Sequence, residues 1–321
     1  MNDYPFIREI RPPLSPDQFR PLDPRCRTVQ FRESLTDVEL QRVAMFLSEH
    51  PSTTLRVYGQ RTYPTLDFLK HFGSVRRVQI EIWELQDLSG LCFLRPDLEA
   101  LGLGRTKTRL SLCMLERFVA LRDLWLEGHA KDFEVVGQLA SLRRLSLRSI
   151  TLPDLSALRF LRELEELELK LGGTRDLRLL PQIGRLRYFE AWLVRELTDL
   201  ESLTAVLTLR FVFLQALKQV AALPSFAPLA DLRRVHLETM KGLRDLAPVA
   251  AAPALAEFLA IDMGHLGPEA FRPFVGHPTL RAARIGLGSA RKNAVVRELL
   301  PLPDPGHAKW DEAVAPSPTA T

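Results

Sequence analysis

Apolar residues recur along this chain in one short phrase: apolar, two others, apolar, one other, apolar. Leu121/Leu124/Leu126, Leu142/Leu145/Leu147, Leu164/Leu167/Leu169 and Leu186/Phe189/Ala191 carry it, and their first positions are 21, 22 and 22 residues apart. Two apolar positions separated by one residue share a face only in extended chain, so each phrase predicts a strand with one buried side. The phrase extends upstream to first positions at Leu98, Val75, Ser52 and Cys26, and downstream to Val206, Leu232, Leu255 and Leu280. Spacing is least regular around Val206, where successive steps are 20 and 26 residues. A fixed period near 22 means stacked small units, none of which can bury its apolar face alone.

The second half of each unit often reads Asp-Leu-x-x-apolar, as at Asp87–Leu91, Asp154–Leu158 and Asp245–Val249. So short a return suits a turn of 3₁₀ or α-helix rather than a long helix. With these residues in place, the chain resembles a leucine-rich repeat protein of the short-repeat bacterial type over roughly residues 52–300. The resemblance implies an α/β solenoid: a horseshoe with a parallel sheet on its concave face and short helical or irregular returns on its convex face. The family usually places Asn or Cys in the turn after the strand, where the side chain holds turn backbone. Here those slots hold Trp83, Thr106, His129, Ile150, Gly172, Val194, Met240 and Met263. The turn amides must therefore find other partners, because buried amides are not left bare.

Residues 1–25 contain six prolines and isolated apolar positions, and read as an extended N-terminal arm. Residues 26–51 read as an N-terminal cap of strand and helix. Thr36-Asp-Val-Glu39 forms a capping box, and Leu40, Val43, Ala44 and Leu47 follow at helical spacing. The repeats occupy 52–300, closed by a helix beginning at Ser289 with Val295, Val296, Leu299 and Leu300 as its apolar stripe. Residues 301–321, with five prolines, read as a disordered tail.

Composition adds little to this outline. Net charge is +4, and arginine outnumbers lysine 35 to 8, a skew we ascribe to codon usage. No apolar run is long enough for a membrane span or placed as a secretory signal. Cys26, Cys92 and Cys113 are odd in number and lack C-x-x-C spacing, which fits buried free thiols in a cytoplasmic protein. His265 and His277 stand 12 apart without cysteine partners, so neither a metal nor any other cofactor is expected. Gly102-Leu-Gly104 and Gly286-Leu-Gly288 lack the remainder of a nucleotide loop and read as turns at strand ends. No nucleophile or acid–base constellation stands out, and we expect no enzyme.

What remains informative is the set of residues between the apolar positions, which the phrase aims at solvent on the sheet. The expected partner-binding residues are Trp125, Arg144, Arg148, Glu166, Glu168, Tyr188, Glu190, Trp192, Arg210, Arg234 and His236. Aromatic rings ringed by mixed charge resemble a protein-binding hot spot, while cross-strand pairs such as Arg148–Glu127 could simply neutralise each other. The expectation is a monomeric, non-catalytic module that binds a protein partner on its concave face as adaptor, regulator or inhibitor. The alternative is nucleic-acid binding through the basic C-terminal region at Arg281, Arg284, Arg291, Lys292 and Arg297. Glutamates at the centre of the sheet face make nucleic acid the weaker reading.

Overall fold

The computed structural model describes residues 6–305. The sequence positions expected as a disordered tail lie, from residue 306 onward, outside the described residues. The chain divides into two compact units, Met1–Arg148 and Ser149–Thr321.

In the first unit, seven strands run parallel in chain order: β1 (Ile7–Glu9), β2 (Thr28–Phe31), β3 (Thr54–Gly59), β4 (Arg77–Ile82), β5 (Ala100–Leu103), β6 (Asp123–Glu127) and β7 (Arg144–Arg148). The expected apolar pairs, from Val29/Phe31 on β2 to Leu145/Leu147 on β7, are all buried. The N-terminal segment supplies a strand rather than only an arm. Ile10 is fully buried beyond β1, and Phe19 packs edge-on against Phe46 at 5.5 Å. Helix α1 (Asp37–Ser48) follows β2, and its N-cap is the expected box: the Glu39 carboxylate accepts from the Thr36 amide and the Thr36 hydroxyl accepts from the Glu39 amide.

The second unit repeats the plan with β8 (Glu166–Lys170), β9 (Tyr188–Trp192), β10 (Phe211–Gln215), β11 (Arg234–Glu238), β12 (Glu257–Ile261) and β13 (Ala282–Ile285). Around Val206 the structure corrects the register. Val212 and Leu214 are the buried pair on β10, opposite Phe189 and Ala191, so the phrase starts at Leu209. The irregular steps of 20 and 26 become 23 and 23. Phe211 and Phe213 thereby turn to the outward sheet face, and Arg210 falls just before the strand instead of in the middle outward row. Leu209/Phe211 mimics the apolar pair in the wrong phase.

Two short α-helices complete this unit, α2 (Ala247–Ala250) and the closing helix α3 (Ala290–Leu299), capped by Ser289. Of the α3 stripe, Val296 is buried but Val295 is exposed. Most other returns are 3₁₀ turns, and their recurrent aspartate has a plain cause. Asp87, Asp154, Asp176, Asp199 and Asp245 each accept, at 2.7–3.0 Å, the amide two residues on. This is the Asx turn, which starts the return without help from elsewhere.

Each strand of the second unit through β12 ends into a residue with left-handed backbone: Leu171, Leu193, Ala216, Thr239 and Asp262, with φ between 49° and 58°. None is glycine. The amides of Leu171, Leu193, Ala216 and Thr239 continue the ladder onto the last carbonyl of the next strand, at 2.8–2.9 Å. Those bonds hold a conformation that costs a side-chain-bearing residue about 1–2 kcal/mol. At the equivalent step after β6 stands Gly128, φ 78°.

The turn slots that lack Asn or Cys are satisfied piecemeal. His129 is buried, its Nε2 donating to the Gly104 carbonyl at 2.9 Å and its Nδ1 accepting the Leu110 amide at 3.4 Å. Thr174 accepts the Leu152 amide at 2.9 Å. The Met240 amide points at the sulfur of Met263 at 3.4 Å. Gly102 is not a turn residue, contrary to its reading from sequence. It lies on β5, where a Cβ would meet the Gln79 side chain at 2.9 Å and Trp125 at 3.2 Å, so its role is close side-chain approach.

Cys26 is buried as expected, but Cys92 and Cys113 are exposed. Both sit on 3₁₀ turns, Ser89–Phe93 and Cys113–Arg117, whose buried positions are taken by Leu91 and Leu115.

Candidate interaction surface

The expected binding residues fall on both units. In the first, Trp125 stands on β6 and leans over Gly102 of β5. Arg77 reaches across Ala100 to Asp123 at 2.8 Å, which a larger β5 residue would obstruct. Arg144 approaches Asp123 at 3.8 Å, and Arg148 pairs with Glu127 at 3.2 Å as the sequence suggested. Further along the same face, Arg56 holds Glu81 through two contacts of 2.7 and 2.9 Å and stacks over Tyr58. The outward face of this unit is a set of neutralised charges.

The second unit is different in kind. Register places Tyr188, Phe211 and Arg234 side by side in the first outward row, and Glu190, Phe213, His236, Leu259 and Arg284 in the second. Trp192 lies beside Gln215 in the third. The Tyr188 and Phe211 rings meet edge to face at 5.0 Å, and the Arg234 guanidinium lies over Phe211 at 5.1 Å. Phe213 and His236 stack at 4.2 Å with 9° between planes.

Tyr188 was expected as an exposed anchor, but only 6% of its surface is accessible; Glu190 and Arg234 are each at 5%. The cause is lateral packing: on neighbouring strands about 4.8 Å apart, large side chains cover one another. The Tyr188 hydroxyl donates to Glu190 Oε2 at 2.6 Å, and Lys170 Nζ lies 3.1 Å from the same oxygen and 2.8 Å from Glu168. Burial raises the Glu190 pKa, and the opposing pull of Lys170 and the Tyr188 hydrogen bond does not cancel it. Burial lowers the Lys170 pKa, but Glu168 and Glu190 outweigh it and the net shift is upward. Burial, then the charges of Arg234 and Arg284, push His236 down to about 4, so it is neutral at physiological pH. Arg234 faces Glu257 at 3.5 Å, and Arg284 is gripped by Asp304 at 2.6–2.9 Å.

The half-buried members of this cluster are Trp192, Phe213 and His236, with Glu168 at its acidic end. Phe213 and Phe211 were missed from the sequence, and an even step of 23 through Leu209 was the signal that could have found them. Among the described residues no group of three His, Cys, Asp or Glu side chains is placed to hold a metal ion, and no helix is long and apolar enough to cross a membrane.

Two solved structures share this architecture at low identity. An internalin, inlF, from Listeria monocytogenes aligns with TM-score 0.54 and 16% identity over 86% of this chain and 79% of its own. The fold is that of a leucine-rich repeat protein. The structure of TLR13 in complex with ssRNA13 aligns with TM-score 0.50 and 16% identity, over 85% of this chain and 48% of its own, so the chain spans about half of that neighbour. No family model and no curated protein matches this sequence.

Proposed function

We propose that the protein is a non-catalytic interaction module whose second unit binds a protein partner on its outward sheet face. The observation that carries this is the aromatic ladder of β9–β11: Tyr188, Phe211 and Arg234 form a buried floor row, and Trp192, Phe213 and His236 stand half-buried in the rows beside it. A floor already packed and hydrogen-bonded costs little further ordering on binding, which is what favours affinity per unit area. Trp and other aromatic anchors beside polar residues are typical of binding hot spots. The surrounding charges are matched locally, so recognition rests on shape and apolar contact, with Glu168 and Arg284 setting orientation. The surface-accessible thiols Cys92 and Cys113 favour a reducing compartment such as the cytoplasm.

The test is affinity capture from source-organism lysate with wild type and Trp192→Ala/Phe213→Ala in parallel. The proposal expects one protein retained by wild type, with salt-tolerant binding, and lost from the variant although its melting temperature is held. Equal retention by both would remove the sheet face from the account.

A further inference from the structure

Beside the sheet face, the second unit carries a recess on the rim where its strands end. It encloses about 640 Å³, floored by Leu171, Leu193 and Ala216 and lipped by Arg195, Lys218 and Gln219. The floor residues are the left-handed residues that follow β8, β9 and β10. Leucine is a costly choice at such a step, because its Cβ crowds the backbone and glycine would not. The equivalent step after β6 does hold glycine, at Gly128. Neither leucine is fully buried. Two leucines kept in a conformation that disfavours them, half open to a recess, point to a use for their side chains outside the core.

The lip adds charge. Arg195, Lys218 and Lys241 each stand three residues beyond a strand end, at the same step of three consecutive repeats. All three are exposed, and among the described residues no ion pair reaches any of them. Glu196, the acidic group on the lip, is already held by Arg175 at 2.7 Å. The rim is therefore an apolar-floored groove with a row of unneutralised cations along it.

We propose that this groove binds an extended acidic peptide segment of a partner protein, with one or two aliphatic side chains seated on Leu171 and Leu193 and carboxylates facing Arg195 and Lys218, Lys241 lying outside the recess at the same step of the next repeat. Charge complementarity selects an anion, and the leucine floor selects an aliphatic side chain between the charges. Nucleic acid supplies the first and not the second. A membrane surface is flat, whereas these leucines line a recess instead of projecting from it.

The test uses a displayed library of random heptapeptides, selected on wild type and counter-selected on Arg195→Glu/Lys218→Glu. Enriched peptides are labelled and titrated by fluorescence anisotropy against wild type, Arg195→Glu/Lys218→Glu and Leu193→Gly, the last retaining the left-handed turn without the side chain. The expected result is enrichment of Asp or Glu around Leu, Ile or Met, with affinity falling about tenfold or more in the charge variant and several-fold in Leu193→Gly. Vesicles of phosphatidylserine with phosphatidylcholine, and a single-stranded oligonucleotide, are titrated in parallel. Failure to enrich acidic peptides, affinity unchanged in both variants, or loss in the variants of vesicle or oligonucleotide binding alone would overturn the proposal. Because Trp192 and Phe213 line no part of this groove, Trp192→Ala/Phe213→Ala should leave the peptide titration unchanged, which separates this outcome from that of the sheet face.

Discussion

Replacing Tyr188 by Phe removes one oxygen and nothing else, and the structure says what that oxygen does. It donates at 2.6 Å to a carboxylate only 5% exposed. A hydrogen bond to a charged group contributes about 1.5–3 kcal/mol. Lys170 still reaches the same Glu190 oxygen at 3.1 Å, so the carboxylate is not left bare and the lower half of that range applies. A unit of this size loses about 2–4 °C of melting temperature per kcal/mol, so the shift should be roughly 3–9 °C. Circular dichroism melts and urea titrations at pH 7 measure it, and repeat stacking requires checking that the two agree before a single midpoint is used. Tyr188→Ala also deletes the ring that meets Phe211 at 5.0 Å and should cost about 3–5 kcal/mol. A Tyr188→Phe midpoint indistinguishable from wild type would refute the buried hydrogen bond and return Tyr188 to the solvent-exposed role first expected of it.

Two titrating groups on the same face pull stability in opposite directions. His236 is depressed to about 4, below the unfolded value near 6.5, so its contribution is complete above pH 6.5 and is lost as pH falls toward 4, by up to roughly 3 kcal/mol. His236→Phe, which keeps the stack on Phe213, should flatten urea stability across that window. Glu190 is raised, so the folded state holds its proton longer and stability falls as pH rises above the ordinary glutamate value; Glu190→Gln should match or exceed wild type at pH 7 and lose that advantage near pH 4. Gly184→Ala should destabilise by more than about 1 kcal/mol in a urea titration, because φ is 55° and the new Cβ would overlap the Leu164 carbonyl oxygen. Thiol titration of the native protein should find Cys92 and Cys113 reactive and Cys26 protected until denaturant is added.

The repeat itself was plainly legible, because the strand phrase depends only on side-chain alternation: the expected apolar pairs of β2 to β9, β11 and β12 are buried, Ala283/Ile285 on β13 is half-buried, and only β10 takes another phase. Alternation alone does not fix the phase there. At β10 both Leu209/Phe211 and Val212/Leu214 satisfy the pattern, and only the neighbouring strands, through Phe189 and Ala191, decide between them. The α1 capping box was equally readable, since Thr36 and Glu39 satisfy each other's amides locally. The candidate site was read less well. Outward direction follows from alternation, but exposure does not: Tyr188, Glu190 and Arg234 point outward and are buried by their neighbours. The same gap misled the reading of Cys92 and Cys113, whose turns bury leucines one or two residues away and leave the thiols outside. The rim leucines carried no readable signal at all, because a left-handed Leu171 or Leu193 looks like any other leucine in the sequence.

The most direct test of the sheet face as a binding surface is photocrosslinking with p-benzoylphenylalanine placed at Phe213, in the source organism's lysate. Position Leu207, exposed on the return preceding β10, serves as the control. The account requires a discrete protein adduct from position 213, absent from position 207 and suppressed when unlabelled wild type is added. Adducts from position 207 alone, or none from 213 while the folded protein still captures its partner, would contradict it.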